Sequence, residues 1–562
     1  MEFRIGVHLG DVTVEGERIY GDGVNIAARL QGLAEPGGIC VSGAVHEQVA
    51  SKLEVAIEDL GVQTVKNIPR TLRVYRLRDH TPVSARTAPA TSSHRPSIAV
   101  LPFADMSPEK DQDYFCDGMA EEIINALTRL EGLRVVARTS AFSFKGRDLD
   151  VREIGAKLGV RSVLEGSVRK AGDRLRVTAQ LIDVADGYHL WSDRFDREQR
   201  DVFAIQDEIS ASIAETLKVK LGVGQTAPKA TRAKSQDAYH HYLRGLHQLG
   251  LDTLDSFERA LECFEEAIAI EPDYAAPFAG VALACVRLVG WERLLTEEAA
   301  PRSTAAADRA VELDPLLPDG HSARASVLAL FAWDWRGAER ECRQAIELRP
   351  GDAVFRHSYA GRCLLPTGRV RQAVIEEQRA LDLDPLSLTV NRGLGEALYY
   401  ARRYDEAIAQ FRHTLEMAPG HSFLRAQLAN VYLTNGQPEE ALRERRAIYG
   451  IEREREAREL AAAFEEAGEA GMLRWYIRRE LARTDATGPE GRATGGGGSG
   501  RAWWLTMLHA RLGETDEAFR WLDEAARGRR GAVYFVKIEP WLDGLRSDPR
   551  YQEILERMNL AS

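Results

Sequence analysis

A chain of 562 residues exceeds the roughly 250–300 that one core usually holds, so three or more domains are expected. Its 44% hydrophobic and 28% charged residues are those of ordinary globular protein. With 74 basic against 85 acidic side chains, a net charge of −11 and no Lys/Arg run, it lacks the clustered basic surface of a nucleic-acid binder.

Residues 1–78 alternate short strands and helices. FRIGVHLGDVTV (3–14) reads as a strand, GVNIAARLQGLA (23–34) as a helix, and GICVSG (38–43) as a strand after the Pro36-Gly37-Gly38 turn. AVHEQVASKL follows as a helix and TLRVYRL (71–77) as a closing strand. Residues 79–95 are rich in Pro, Ser, Thr and Ala, with little to bury, and read as a linker.

A second α/β unit is expected over 96–222. SIAVLPF (97–103) and LRVVAR (133–138) read as strands, while residues 117–130 and 150–159 read as helices. The run from Arg161 to Val184 alternates about an Ala171-Gly172-Asp173 turn and predicts a hairpin. Trp191 reads as a strand-core aromatic, and a long helix is expected at about 201–221.

From 235 a repeat begins. Pro272, Pro315, Pro350, Pro385 and Pro419 each end a helix, with most spacings near 34 residues, the period of a tetratricopeptide helix pair. Ala260, Ala338, Ala373 and Ala407 stand twelve residues before four of these prolines, where two helices must approach closely. Five repeats over 235–450 predict an all-α solenoid able to fold by itself. An insertion near LVGWERLLTEEAAP accounts for the longer first gap. Residues 451–487 read as a helical extension, 488–500 as a Gly-rich linker, and 501–562 as terminal repeat-like helices that cap the array.

The six cysteines (Cys40, Cys116, Cys263, Cys285, Cys342, Cys363) form no CxxC pair and read as reduced, mostly buried thiols of a cytoplasmic protein. No signal peptide and no membrane span are expected. His240-His241 reads as helix surface, because helical neighbours point about 100° apart. No phosphate-cradling glycine loop is present in the sequence, and Ser499 lacks the context of a nucleophile elbow.

The informative motif is YGDGVNIAARL, residues 20–30. Asn25 and Arg29 lie four apart, which puts an amide and a guanidinium on one helix face. With FRIGVHLGDV before it and PGGICVSGAV after it, the segment resembles the C-terminal half of class III adenylate/guanylate cyclases, closest to those fused to tetratricopeptide repeats. The resemblance implies a head-to-tail dimer that converts a nucleoside triphosphate to its cyclic 3′,5′-monophosphate. It implies that Asn25 orients the ribose and that Arg29 neutralises charge on the α-phosphate, as preorganised cations do in phosphoryl transfer. Lys66 and Arg70 fall near the family's basic phosphate contact.

The family holds two Mg²⁺ or Mn²⁺ on two aspartates that precede these segments. Neither aspartate has a counterpart in the sequence; Asp11 and Asp22 come too late in the pattern. Arg18 stands where many members read the purine, leaving ATP and GTP both open. No cofactor is therefore expected on the chain as written, and the cyclase fragment is expected to be inactive.

Residues 96–222 resemble a TolB amino-terminal-like domain, through SIAVLPFADMSPEKDQDYFCDGMAEEI, VRSVLEGSVRKAGDRLRVTAQLID and LWSDRFDR. This resemblance implies an α/β fold engaged in protein contact. The expected fold class is thus multi-domain: an α/β cyclase fragment, an α/β TolB-like domain and an all-α tetratricopeptide solenoid. The expected function is adenylate-cyclase-family signalling, with a protein or peptide in the repeat groove and a cyclase dimer partner. A non-enzymatic scaffold, or an envelope- or secretion-related binding protein, are the alternatives. A DNA-binding regulator is disfavoured by the motif at 20–30.

Overall fold

The computed structural model describes residues 4–9, 13–15, 18–20, 22–33, 39–49, 56–63, 72–78, 96–108, 110, 113–128, 130, 132–147, 149–171, 174–198, 208–209, 211–212, 215–216, 233–251, 253–290, 293–449, 453–482, 500–529 and 532–561. The chain divides into two compact units, Met1–Ala90 and Thr91–Ser562.

In the first unit, strands β1 (Ile5–Val7), β4 (Ile39–Ser42), β5 (Ala56–Gln63) and β6 (Leu72–Arg78) form a sheet of order β1-β4-β6-β5. β1 runs parallel to β4 and the other pairings are antiparallel. β2 (Thr13–Glu15) and β3 (Arg18–Tyr20) make a separate antiparallel ribbon, so the single strand expected at 3–14 is two. Helix α1 (Asp22–Leu33) lays Ile26 and Leu30 on Cys40 and Val74, and α2 (Gly43–Val49) follows β4. β1 runs hard against α1: a Cβ at Gly6 would stand 2.1 Å from the Ala27 carbonyl oxygen, so only glycine fits there. Strand β5 is new. Its alternation is broken by a bulge between Asp59 and Val62, where Gly61 has φ of 76°.

The second unit begins with β7 (Ser97–Val100), β8 (Ala104–Asp105), β9 (Arg134–Val135), β10 (Ser162–Ala171), β11 (Arg174–Asp183) and β12 (His189–Glu198). Sheet order is β12-β11-β10-β7-β9, with β8 also on β10. The hairpin pairs from Ser162↔Asp183 to Ala171↔Arg174, the register that the alternation predicts. Helix α3 (Asp113–Leu127) buries Phe115, Met119 and Ile123 in the core that contains Ile98, Val100 and Val177. Helices α4 (Arg138–Phe142) and α5 (Val151–Leu158) follow. α5 starts where Asp150 accepts from the Arg152 N–H and stops at left-handed Gly159, φ 61°. Trp191 is half-buried on β12. The helix expected at 201–221 lies largely outside the described residues.

Twelve helices then stack as antiparallel pairs: α6 (Gln236–Gly250) with α7 (Leu254–Ile270), α8 (Ala275–Gly290) with α9 (Thr296–Leu313), α10 (Pro318–Val327) with α11 (Trp335–Leu348), α12 (Ala353–Tyr359) with α13 (Val370–Leu383), α14 (Leu388–Tyr400) with α15 (Tyr404–Met417), and α16 (Ser422–Thr434) with α17 (Pro438–Tyr449). Ala260, Ala338, Ala373 and Ala407 have no exposed surface, as close helix approach requires. Cβ atoms built at Gly245 and Gly280 would fall 2.5 and 2.7 Å from the Phe264 ring, so two glycines make room for one phenylalanine. There are six pairs where the prolines indicate five, because no proline ends the sixth. The long first gap is taken up by α8 and α9, of 16 and 18 residues.

α18 (Glu454–Ala482), kinked at Ala467 and Gly468, extends the stack. α19 (Arg501–Arg511) and α20 (Thr515–Gly528) form another pair, and short 3₁₀ turns at Val533–Phe535 and Pro540–Leu545 lead to α21 (Pro549–Arg557). α19 packs on the end of the array, with Arg511 donating to the Leu433 carbonyl and Trp504 meeting Arg445 and Tyr476, and the tail then turns back along it. It folds back to Trp333, over which Arg529 lies at 4.6 Å and whose carbonyl accepts from the Asn559 side chain.

Candidate functional site

On α1, buried Ile26 and Leu30 fix the helix against the sheet, and Arg29, beside Leu30, is exposed. Asn25 stands one turn before Arg29 on the same helix. Lys66 and Arg70 lie outside the described residues. His8 Nδ1 is 2.7 Å from Ser42 Oγ, tying the strand ends together. The His46 ring stacks on Tyr75 at 3.8 Å. Among the described residues no cluster of three or more His, Cys, Asp or Glu side chains could hold a metal ion.

In the second unit the helix pairs have two edges. Loops from the second helix of one pair to the first helix of the next lie along one edge, and the turns within pairs lie along the other. The α/β layer is fastened to the first edge. The Ser140 N–H donates to Asp384 Oδ1 at 3.0 Å, Ser140 Oγ donates to the same oxygen, and Oγ accepts from the Leu386 N–H at 2.8 Å. The Ala137 N–H donates to the Leu383 carbonyl. Burial pushes the Asp384 carboxyl up, and the Ser140 hydrogen bonds oppose this. Nearby, Arg349 is buried with its terminal nitrogens 2.8 and 3.2 Å from Asp319 and Asp352. Burial works against its charge, but the two carboxylates outweigh it and hold its pKa above the ordinary range.

α3 also packs on α6. Asp117 sits 2.7 Å from Lys145 and 3.5 Å from His247. His240 is not helix surface: its ring makes edge contacts with Tyr114 and Phe115, and burial pushes its pKa down. One hydrophobic cluster runs from Ile98 and Val100 of the sheet through Tyr239 and Phe257 to Ala323. The array and the α/β layer thus share a core, which sequence periodicity did not indicate.

The tail holds the other edge. Trp335 Nε1 donates to the Met558 carbonyl, Tyr399 Oη to Glu539 Oε1, and Trp541 Nε1 to Thr434 Oγ1, at 2.8, 2.8 and 2.7 Å. Phe535 lies 4.8 Å from Tyr400, and half-buried Tyr534 stands near Glu396, Arg362 and Arg392, with desolvation raising its phenol pKa. Side chains of the first helices in the fourth and fifth pairs, where an open partner groove is expected, are thus met by the chain's own tail. Ser140, Asp384, Glu539 and Trp541 were not indicated by any spacing. The available signals were the Trp333-Asp334-Trp335 turn and the EPWLDGL segment, whose large apolar residues lie outside a repeat register.

A family model described as "HilA/YgeH-like transcriptional regulator, second domain" matches residues 93–212, the region for which a TolB-like domain is expected from the sequence. A tetratricopeptide repeat model matches residues 398–463, and the chain carries such repeats. "Putative adenylate cyclase 3" of Rhizobium meliloti is 38% identical over 335 residues, 58% of this chain and 57% of that protein. An uncharacterized protein of Mycobacterium tuberculosis is 29% identical over 104 residues, 18% of this chain and 36% of the relative. The chain therefore spans little more than half of the first relative and about a third of the second. Among solved structures, an adenylate/guanylate cyclase/hydrolase from Silicibacter pomeroyi is 45% identical over 14% of this chain and 46% of that one, with a TM-score of 0.14. YrrB, a TPR protein with an unusual peptide-binding site, is 21% identical over 34% of this chain and 92% of its own, with a TM-score of 0.25. No described helix is long and apolar enough to cross a membrane.

Proposed function

We propose that the chain is a cytoplasmic signalling protein of the class III nucleotidyl cyclase type, with its repeats as a platform for a protein or peptide partner. The observation that carries this reading is the 38% identity, over 58% of the chain, with a relative named as an adenylate cyclase. In it, residues 1–78 are half of a cyclase domain. Asn25 orients the ribose and Arg29 stabilises charge on the α-phosphate, with Lys66 and Arg70 as further phosphate contacts. The exposure of Arg29 supports this role, since a cation serving a second subunit's substrate has to face outward. The family's Mg²⁺ or Mn²⁺ would have to be held by a dimer partner, and no step is assigned to it on this chain. The α/β layer at 96–222, TolB-like in sequence, serves protein contact, here with the repeats.

The 562-residue polypeptide by itself should form no cyclic nucleotide from ATP or GTP. The test mixes it with a related cyclase whose own Asn/Arg pair has been removed. Restored cyclic-nucleotide synthesis, lost again on Arg29→Ala, supports the reading. No restoration with both chains shown to be folded overturns the role of Arg29. The non-enzymatic scaffold is then favoured, supported by the two edges along which the chain clamps its own repeats.

A further inference from the structure

The core of the array holds two thiols in contact. Cys342 lies on α11, and Cys363 lies in the π-helical turn Ala360–Leu364 that continues α12. Their Sγ atoms are 3.6 Å apart, and both residues are buried. With them stands Arg362, whose Nη1 is buried and has no hydrogen-bond partner among the described residues. Burial works against the Arg362 charge, as does the guanidinium of Arg287, while Cys342, Tyr534 and Cys363 favour it. A guanidinium buried on these terms is costly unless an anion forms beside it. Of the groups that favour it, a thiol ionises more readily than a phenol.

The two thiols are not equivalent. The bond to Cys342, and then burial, push the Cys363 thiol well up, so Cys363 keeps its proton and directs it at Cys342 Sγ. Cys342 Sγ is therefore the acceptor. An S–H and a guanidinium both stabilise a thiolate there, the setting in which a cysteine becomes nucleophilic. A small oxidant has a way in, because Arg362 is half-buried and a Cβ built at neighbouring Gly361 would meet nothing within 4 Å.

We propose that Cys342 and Cys363 are a reversible oxidation site, converted by a hydroperoxide to a disulfide that staples the third helix pair to the fourth. The Cys342 proton goes to solvent, and the thiolate attacks one peroxide oxygen. The O–O bond breaks, and the departing hydroxide takes a proton from solvent to leave as water. Cys342 is then a sulfenic acid. The Cys363 sulfur attacks the Cys342 sulfur, the S–O bond breaks, and the hydroxide carries off the Cys363 proton as a second water. The two sulfurs together give up two electrons, which the peroxide oxygens gain. The sulfurs draw in from 3.6 Å to about 2 Å.

The experiment treats the folded full chain with hydrogen peroxide, then denatures and alkylates it and counts the remaining thiols. Two of the six cysteines should be lost, and dithiothreitol should restore them. Trypsin cuts after Arg343 and Arg362 and so separates the two residues, and mass spectrometry should find their peptides linked in the oxidised sample alone. Cys363→Ser should leave Cys342 as a sulfenic acid that dimedone captures, and Cys342→Ser should give no adduct at Cys363. The linkage in the parent chain does not depend on either variant folding. Arg362→Gln should slow the linkage at least about threefold at neutral pH, with the rate recovering as pH rises and the melting curve unchanged. An arginine that only packs would not move that pH profile. Survival of all six thiols, linkage through any other cysteine, or loss that dithiothreitol does not restore each overturns the proposal. A rate that Arg362→Gln leaves unmoved removes the activated thiolate and overturns it as well. Every readout is a thiol count or a modified peptide, independent of cyclic-nucleotide synthesis and of partner binding.

Discussion

The two edges of the repeat array are each held by another part of the same chain, and by different chemistry. Along the inter-repeat loops, the α/β layer is held by short polar groups: one serine against one carboxylate, and a backbone bond to Leu383. Along the turns within pairs, the tail is held by large aromatics whose polar tips find single partners, as at Trp335, Tyr399 and Trp541. The first arrangement depends on hydrogen-bond geometry and tolerates little displacement. The second buries much area per residue, so its side chains carry larger single-residue energies. A repeat stack read as a free-standing solenoid is here a middle layer. Neither edge is periodic, and each changes what the array can bind.

The largest single effect should come at the tail. Trp541 is 4% exposed, with the Arg511 guanidinium 5.8 Å from its ring and Trp504 at 6.1 Å. Trp541→Ala should cost about 3–5 kcal/mol of tail docking. Limited proteolysis should then cut within 532–561 while the α/β layer stays protected. Loss of protection on both edges together would break the distinction between them.

A pH effect of nearly that size belongs to the same edge. Glu539 is 3% exposed, and burial pushes its carboxyl up from 4.5 to about 7, against the bonds from Tyr399 Oη and the Trp541 N–H. Below pH 4.5 folded and unfolded chains both hold the proton. Between 4.5 and 7 only the folded chain does, so this group's contribution falls as pH rises, by about 3 kcal/mol in all. Glu539→Gln accepts the same two bonds without a charge. Urea unfolding should find it close to the parent chain at pH 4.5 and more stable at pH 8. Equal stabilities at pH 8 would show that Glu539 is not an uncomfortable charge.

How much of this was legible follows from what leaves a period in sequence. Helix pairing needs a small residue at each crossing, so Ala260, Ala338, Ala373 and Ala407 announced it, and all four are buried. The Ser162–Asp183 hairpin was readable because its strands alternate. β5 was not, since Gly61 and its bulge interrupt the alternation. The edges were illegible for a different reason. Ser140 meets a residue 244 positions away, and Tyr399 one 140 away, and no local pattern encodes such a pairing. At the candidate cyclase site, the spacing of Asn25 and Arg29 places both on α1, and the buried face of that helix could be read from Ile26 and Leu30.

The smallest expected effect is the sharpest test of whether the edges act separately. Ser140 has no exposed surface and joins three bonds: its N–H and Oγ donate to Asp384, and Oγ accepts from the Leu386 N–H. Ser140→Ala keeps the first bond and loses the other two, leaving the Leu386 N–H without this acceptor and a buried carboxylate less well held. The cost should be about 1–3 kcal/mol near pH 7. In an Asp384→Asn background the same substitution should cost less, because a hydrogen bond to a neutral amide oxygen is weaker than one to a carboxylate. Ser140→Ala combined with Glu539→Gln is the decisive pair. The two residues stand on opposite edges and join different hydrogen-bond sets, so their effects should add to within about 0.5 kcal/mol. A larger departure from additivity, measured by urea unfolding at pH 8, would mean that the α/β layer and the tail grip the repeats as one body.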